Sequence, residues 1–326
     1  MSINAFIFPG QGSQSVGMGR ELAGAFLSAR ELFEEVDETL RQNLSKLMFE
    51  GPAEALTLTE NAQPALMAVS LAVIRVLERD AGMALQDKAL IVAGHSLGEF
   101  SALAAAGSLT VPAAARLLRR RGEAMQRAVP PGEGAMAALI GADLDQASAL
   151  CAEAAIVPAE PGGEPSAERE VIAVANDNGG GQVVISGARE AIARAVGLAR
   201  DRGVKRAMLL SVSAPFHCPL MEPAASELAA ALAETELTAP AVPIVSNVTA
   251  EPTSDPSEIR ELLVRQVTGL VRWRESVMTM LRLGAERFVE LGAGKVLSGL
   301  VRRIVPDAAV MAAGTPAEIE ALIKEL

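Results

Sequence analysis

Short apolar runs alternate with helical patterns along most of this chain, and the alternation predicts an α/β fold whose sheet is mainly parallel. Outside residues 134–212, the runs of strand type are 5–8, 89–93, 242–246 and 287–291. A helix capped by Ser28 is predicted over 28–40. The other helices predicted there are 63–80, 97–106, 112–127, 220–233 and 258–270, with further helices towards the C-terminus.

The segment 134–212 has a pattern of its own. It predicts, in order, a strand 135–140, a helix 143–155, strands 171–175 and 182–186, a helix 189–202 and a strand 205–210. This βαββαβ order is the ferredoxin-like pattern, and Pro- and Gly-containing linkers flank it. We therefore predict a large α/β-hydrolase-like domain, residues 1–133 and 213–326, interrupted by a small ferredoxin-like domain, residues 134–212. Residues 158–170 are polar and rich in Pro and Gly, which predicts an exposed, mobile loop.

Composition narrows the functional classes. Half of the 326 residues are hydrophobic, which excludes wholesale disorder. The 29 basic and 40 acidic residues give a net charge of −11, whereas nucleic-acid binders and proteins on anionic membranes normally have a basic excess. The two cysteines form no C-x-x-C pattern and cannot build a disulfide framework. With no signal-like start and no apolar run of about 20 residues, we expect a cytoplasmic protein with no nucleic-acid or membrane partner.

Two glycine motifs are incomplete versions of nucleotide-binding loops. The segment 10–12 (GQG) lacks the third glycine of G-x-G-x-x-G, because Ser15 stands there. The pair 294–295 (GK) lacks the earlier P-loop glycine, and Val296 replaces the required Ser or Thr. No metal-ligand spacing is present. We therefore expect no metal and no cofactor.

Residues 94–98 (GHSLG) fit the G-x-S-x-G motif of serine nucleophiles. They lie between an apolar strand and a helical pattern, which is the context that this motif requires. A helix that begins at Leu97 would offer free N–H groups to a developing oxyanion. A chance match in a Gly-rich chain is the alternative, and the context argues against it. We predict that Ser96 is a nucleophile.

A serine nucleophile needs a base, and the chain has only two histidines. His95 is adjacent to Ser96, so at a tight turn its side chain should point away from the hydroxyl. His217 lies in a loop bracketed by prolines and is the remaining candidate for the base. Cys218 is a rival nucleophile, but we expect it to be a small packed side chain.

Two polar residues fall on apolar helix faces. Arg121 lies on the stripe of helix 112–127, between Leu118 and Met125. A buried arginine is costly unless an anion meets it, so either an internal salt bridge or a site for a substrate carboxylate is expected. Gln266 lies on the apolar face of helix 258–270, where ordinary packing with a backbone hydrogen bond explains it equally well.

Five separated motifs occur in the order found in malonyl-CoA:acyl carrier protein transacylases. They are 8–14 (FPGQGSQ), 94–99 (GHSLGE), 121–122 (RG), 215–217 (PFH) and 264–266 (VRQ). The resemblance covers essentially the whole chain, and five motifs in order are far more specific than any one of them. The sequence is therefore identified as resembling this acyltransferase family.

The resemblance implies roles for the reacting groups. Ser96 matches the family's nucleophile and His217 its general base. Gln11 and Leu97 match the positions whose backbone N–H groups form the oxyanion hole. Gln266 matches the residue at the site whose main-chain carbonyl orients the histidine, which would account for the lack of a convincing Asp.

The resemblance also implies a set of substrate contacts. Arg121 matches the residue that pairs with the malonyl carboxylate, and Gln63 resembles another pocket position. Met125, on the same stripe as Arg121, joins the predicted substrate-binding residues. Phe216 and Leu97 resemble the malonyl type, since a bulky Phe leaves little room for an α-methyl group. Such a methyl group is worth only ~1–3 kcal/mol of discrimination.

The implied activity is ping-pong transfer of malonyl from malonyl-CoA to the phosphopantetheine thiol of acyl carrier protein, by a monomer that supplies fatty-acid synthesis. The same transfer in trans for a polyketide synthase, an acyl hydrolase and a non-catalytic carrier-binding module are the alternatives. An acidic carrier would need a local basic surface on this acidic chain. The candidates for it are Lys205-Arg206, Arg272 with Arg274, and Arg302-Arg303.

Overall fold

The computed structural model describes residues 3–158 and 168–326. Its strands are β1 Asn4–Phe8, β2 Ala89–Gly94, β3 Gly134–Ile140, β4 Ile172–Asp177, β5 Gln182–Ala188, β6 Arg206–Leu209, β7 Ile244–Val245, β8 Pro252–Thr253, β9 Arg287–Leu291 and β10 Ala309–Ala313. Its helices are α1 Arg20–Ala25, α2 Leu27–Leu40, α3 Leu44–Glu50, α4 Ala53–Thr57, α5 Thr59–Arg79, α6 Leu85–Lys88, α7 Gly98–Ala105, α8 Val111–Arg127, α9 Leu144–Ala154, α10 Arg189–Leu198, α11 Glu222–Ala233, α12 Pro256–Thr268, α13 Trp273–Arg282, α14 Val296–Ile304 and α15 Pro316–Glu325.

The larger sheet has the order β10-β9-β1-β2-β7-β8, and only the β7–β8 pair is antiparallel among its described strands. Strands β1 and β2 lie side by side in parallel, with Phe8 opposite Gly94. Their carboxyl ends therefore meet at one edge of the sheet, where ligands of open α/β sheets bind. This register brings the loop after β1 next to the turn after β2.

The smaller sheet has the order β4-β5-β3-β6, and every neighbouring pair is antiparallel. In chain order this is 2-3-1-4, the arrangement that a βαββαβ segment forms. The predicted α/β class, with a mainly parallel sheet and a separate antiparallel sheet, is confirmed. The exact boundaries 1–133, 134–212 and 213–326 stay a prediction. Most of the predicted loop 158–170, residues 159–167, lies outside the described residues.

Several element boundaries differ from the predictions for local reasons. Helix α5 begins at Thr59, four residues before the predicted start, and it accommodates Pro64 in its second turn. Ser28 does not cap α2: Phe26 is the N-cap, and the Ser28 hydroxyl instead contacts Asp80. A 3₁₀ turn over Pro219–Met221 precedes α11. The pattern missed strand β10, whose side chains are mostly small.

Helix α8 is amphipathic, and its start matches the prediction closely. Thr110 caps it by accepting a hydrogen bond from the Ala113 amide, and Pro112 lies in its first turn. Its apolar stripe packs against α5, a helix that is buried along almost its whole length. Arg121 lies on this packed face, as the stripe predicted. Over residues 3–158 and 168–326, no helix combines the length and the hydropathy needed to span a membrane.

Candidate active site

The turn between β2 and α7 forces the Ser96 backbone into the left-handed region, with φ of 53°. A Cβ atom at Gly94 would lie 1.9 Å from the backbone of Gly98, and one at Gly98 would lie 2.2 Å from the Phe8 carbonyl oxygen. Both glycines are therefore required by the close approach of the chain to itself. The sharp turn presents the Ser96 hydroxyl at the carboxyl edge of the larger sheet, as the motif predicted.

His217 contacts the Ser96 hydroxyl directly. The distance from Ser96 Oγ to His217 Nε2 is 2.8 Å, and His217 Nδ1 lies 2.8 Å from the main-chain oxygen of Gln266. A carbonyl oxygen can only accept, so Nδ1 carries the proton and Nε2 is left to accept from the serine. Burial, and then the nearby Arg121 charge, lower the pKa of His217 to about 3. The imidazole is therefore neutral at pH 7 and able to take a proton.

The guanidinium of Arg121 is buried beside the same hydroxyl. Its Nη1 donates to Gln63 Oε1 at 2.7 Å, and its Nη2 donates to Gln266 Oε1 at 2.8 Å and to Ser96 Oγ at 3.2 Å. Its Nε has no hydrogen-bond partner among the residues that the structure describes. Burial lowers the pKa of Arg121 to about 10, so the group stays cationic at neutral pH. Within the described part of the chain Arg121 makes no direct ion pair, so the predicted salt bridge is absent. The buried Glu99 carboxyl acts on Arg121 only without contact and opposes the fall in its pKa.

The two predicted oxyanion-hole residues follow neighbouring strands. Gln11 lies after β1 and Leu97 after β2, and both line the cavity at Ser96. Neither backbone N–H donates a hydrogen bond to any group of the described residues, whereas the Ser96 N–H donates to Asn247 Oδ1 at 2.7 Å. Two free donors therefore remain near the nucleophile, which is the arrangement that an oxyanion requires.

A cavity of about 580 Å³ opens over these groups. The predicted site residues in its wall are Gln11, Gln63, Ser96, Leu97, Arg121, Met125, Phe216 and His217. Gln266 lies behind the wall, fully buried, and reaches the site through Arg121 and His217. Met125 contacts the Gln63 amide through its sulfur at 3.7 Å. The fold therefore brings all nine predicted residues to one place, while their roles stay predictions.

Two residues that sequence reasoning missed stabilise the turn at Ser96 through hydrogen bonds. Asn247 accepts the Ser96 N–H and donates to the Gly94 carbonyl at 2.6 Å, so its amide bridges the strained turn. Glu99 Oε2 accepts from Gln266 Nε2 at 2.7 Å and from the Asn247 N–H at 3.2 Å. A signal existed for Glu99, a lone acidic residue in an otherwise apolar and buried helix. Asn247 follows a two-residue strand and has no comparable signal.

The two other candidates from the sequence, His95 and Cys218, make contacts of a different kind. The His95 ring turns away from the Ser96 hydroxyl, contacts Asn178 Oδ1 at 2.9 Å, and lies 5.6 Å from the Trp273 ring. Cys218 is buried and donates from Sγ to the Pro215 carbonyl at 3.1 Å, and burial raises the pKa of its thiol. Neither residue is therefore placed to compete with Ser96 and His217. Among the described residues, no group of three or more His, Cys, Asp or Glu side chains is arranged to hold a metal ion.

Comparisons with known proteins agree with one another. The family model of the acyl transferase domain matches residues 5–319. The malonyl CoA-acyl carrier protein transacylase of Bacillus subtilis (strain 168) is 43% identical and covers 100% of this chain and 98% of its own length. The structure of an acyl-carrier-protein-S-malonyltransferase from Bartonella henselae is 52% identical, with a TM-score of 0.93 and 99% of each chain covered. A malonyl-transacylase in complex with a type II PKS acyl-carrier protein is 40% identical, with a TM-score of 0.92 and 100% of each chain covered.

Proposed function

Because this chain belongs to the acyltransferase family of malonyl CoA-acyl carrier protein transacylases, we propose that it transfers a malonyl group from malonyl-CoA to an acyl carrier protein. One observation carries the proposal: the Ser96 hydroxyl lies 2.8 Å from a neutral imidazole and 3.2 Å from a buried guanidinium that contacts no carboxylate in the described structure. The first group activates a nucleophile, and the second binds an acyl group that ends in a carboxylate.

The first half-reaction makes an ester on Ser96. The Oγ atom attacks the thioester carbon while His217 Nε2 takes the hydroxyl proton, and the oxyanion accepts from the N–H groups of Gln11 and Leu97. One such donor is worth ~2.7–4 kcal/mol. The C–S bond then breaks, and the CoA sulfur leaves with the proton from His217. The malonyl carboxylate stays on Arg121.

The second half-reaction reverses these steps with a different thiol. The phosphopantetheine thiol of the carrier attacks the ester carbon, and His217 takes the thiol proton. The Ser96 oxygen leaves and recovers that proton, so the enzyme ends as it began. Throughout, the Gln266 carbonyl holds Nδ1–H and keeps Nε2 available for each transfer.

We place this activity in fatty-acid synthesis, in the cytoplasm, and we expect a monomer that needs no cofactor and binds no nucleic acid. A second candidate is the same transfer for a polyketide synthase. It is supported by the similarity to a malonyl-transacylase that was solved with a type II PKS acyl-carrier protein. Both uses share the Ser96 chemistry, so the choice of carrier protein separates them.

Mass spectrometry of the protein, intact and after proteolysis, tests the proposal. After incubation with malonyl-CoA, we expect a malonyl adduct on the peptide that contains Ser96, and holo-acyl carrier protein should remove it. Ser96→Ala should carry no adduct. With methylmalonyl-CoA we expect less adduct, because Phe216 lines the acyl cavity.

The same experiment separates the rival functions. Absence of any adduct would leave only a carrier-binding module. An adduct that decays equally fast without the carrier protein would indicate a hydrolase, because water would then be the acceptor.

A cationic rim, which we define as Lys205, Arg274 and Arg303, offers the carrier a docking surface. A Cβ atom at Gly180 would lie 2.6 Å from the Cβ of Arg303, so this glycine leaves room for Arg303. Lys205 and Arg274 line a neighbouring cleft, which also contains three aspartates. Arg303 also lines the active-site cavity. Arg274 is paired with an aspartate at 2.8 Å, whereas Arg303 donates to a neutral glutamine amide at 2.9 Å. We propose that an acidic carrier protein binds this rim.

Charge reversal of the rim tests the docking proposal. Lys205→Glu combined with Arg303→Glu should raise the KM for holo-acyl carrier protein by about tenfold or more, because several close charge pairs become repulsive. The rate of Ser96 malonylation by malonyl-CoA should change much less than the KM for the carrier. Arg116→Glu is the control, because Arg116 is exposed in a different cleft. A larger effect on malonyl-CoA than on the carrier would assign the rim to CoA instead and reject the docking proposal.

A further inference from the structure

The side-chain amide of Gln266 links the buried carboxyl group of Glu99 to the buried guanidinium of Arg121. Glu99 is 2% exposed, and its Oε2 accepts from Gln266 Nε2 at 2.7 Å. The other end of the same amide, Gln266 Oε1, accepts from Arg121 Nη2 at 2.8 Å. Glu99 itself does not line the cavity. It therefore acts on the site through Gln266.

The Glu99 carboxylate and the Ser96 main-chain oxygen, which accepts from Gln266 Nε2 at 2.9 Å, together fix which way the amide points. A carboxylate can only accept hydrogen bonds, so Glu99 selects the NH₂ end of Gln266 and leaves its oxygen for Arg121. In the reversed orientation, the NH₂ group would face the guanidinium, and two donors would oppose each other. Glu99 is therefore a positioning residue for both Gln266 and Arg121.

The charges around Glu99 are few. Arg121 faces it from α8, the neutral Gln266 side chain and the Asn247 main-chain N–H donate to it, and the Ser246 hydroxyl faces it from the residue after β7. Arg121 is the one cation that acts on Glu99 among the described residues. Burial raises the pKa of Glu99 to about 7, and the hydrogen bonds and Arg121 oppose that rise.

We propose that Glu99 is the internal counter-charge of Arg121 and takes up one proton when a malonyl carboxylate binds that guanidinium. The inference rests on the proposed function, since it takes malonyl as the ligand. A second carboxylate beside one buried cation leaves an uncompensated negative charge, and a proton from the solvent removes it. When the malonyl group leaves, Glu99 returns the proton.

A pH dependence follows, and its sign can be worked out. Binding that requires protonated Glu99 is strongest below pH 7 and weakens as the pH rises and the free enzyme loses that proton. Between pH 6.5 and 8.5, the affinity for malonyl-CoA should fall by roughly 25-fold. In Glu99→Gln the affinity should not change with pH in this range, because a neutral amide keeps the acceptor oxygen and removes the charge.

Calorimetry measures the proton directly. In a Ser96→Ala background, malonyl-CoA is titrated near pH 7.5 in two buffers with different ionisation enthalpies. We expect roughly 0.5–1 proton to be taken up per malonyl-CoA, since a group of pKa about 7 is mostly deprotonated there. Acetyl-CoA has the same CoA phosphates and no carboxylate, so its uptake is the baseline and should be near zero.

Two substitutions test whether Glu99 is the group that takes up the proton. Glu99→Gln should abolish the malonyl-specific uptake. Glu290→Gln should retain it, although Glu290 is also a fully buried carboxyl whose pKa burial raises, because its partners are the Leu297 and Ser298 amides. Equal uptake in Glu99→Gln and the parent, or no uptake by a parent that binds malonyl-CoA, would overturn the inference and leave the transfer intact. Failure to bind malonyl-CoA and to form the Ser96 adduct would instead overturn the proposed function.

Discussion

Arg121→Ala is expected to lower kcat/KM for malonyl-CoA by about 10²–10³-fold, because a buried charge-assisted contact to a carboxylate is worth ~3–4 kcal/mol. Acetyl transfer should fall far less, since acetyl presents no carboxylate. The activity ratio of malonyl to acetyl should therefore shift by two orders of magnitude or so. Steady-state kinetics with both thioesters measure it.

Arg119→Ala is the matched control on the same helix. Arg119 also donates to neutral side-chain oxygens, those of Asn61 and Gln42, but it does not line the cavity. Its replacement should leave the malonyl to acetyl ratio unchanged. An Arg121→Ala enzyme that keeps its malonyl turnover would contradict the carboxylate contact, and with it the main argument against a simple hydrolase.

Periodicity predicts the parts of this fold in which one face is buried. The strands around 5–8 and 89–93 and the amphipathic helix α8 are near their predicted places because their apolar spacing is strong. The sequence pattern does not predict strand β10, because Ala-rich runs have no distinctive period. Strand β7 has only two residues, fewer than the pattern predicts. Tertiary pairing, which is not encoded locally, decides such short strands.

The residues of the candidate site also differ in whether the sequence alone can predict them. Ser96 could be found from its motif, His217 by elimination, and Arg121 because a charge on an apolar stripe needs an explanation. The carbonyl that orients His217 belongs to the backbone of Gln266, so no side-chain pattern can indicate it, and only the family resemblance suggested it. Asn247 comes from a loop 151 residues away from Ser96, and only the fold shows the contact.

The acidity of the chain has a local consequence at this site. A net charge of −11 disfavours anionic ligands in general, yet the groups around Ser96 offer a guanidinium whose contacts are neutral side-chain oxygens. In the proposed mechanism, a negative acyl group binds a buried charge, where solvent screening is weak, rather than the net field of the surface. The proposed malonyl preference therefore does not depend on overall charge.

Ser96→Ala and His217→Ala are each expected to reduce kcat by about 10⁴–10⁶-fold, because a nucleophile and its base act as one unit. For the same reason, the double variant should be no slower than the worse single variant, within a few-fold. The tautomer supports this expectation: with Nδ1–H held by the Gln266 carbonyl at 2.8 Å, Nε2 has only the Ser96 proton to accept.

Cys218→Ser provides the control next to the base. Its Oγ can keep the hydrogen bond to the Pro215 carbonyl, so kcat should stay within about a few-fold of the parent value. Single-turnover transfer from malonyl-CoA measures all four variants under one set of conditions. If the Ser96 and His217 losses multiply in the double variant, the two residues act independently, and the hydrogen bond between them does not serve proton transfer.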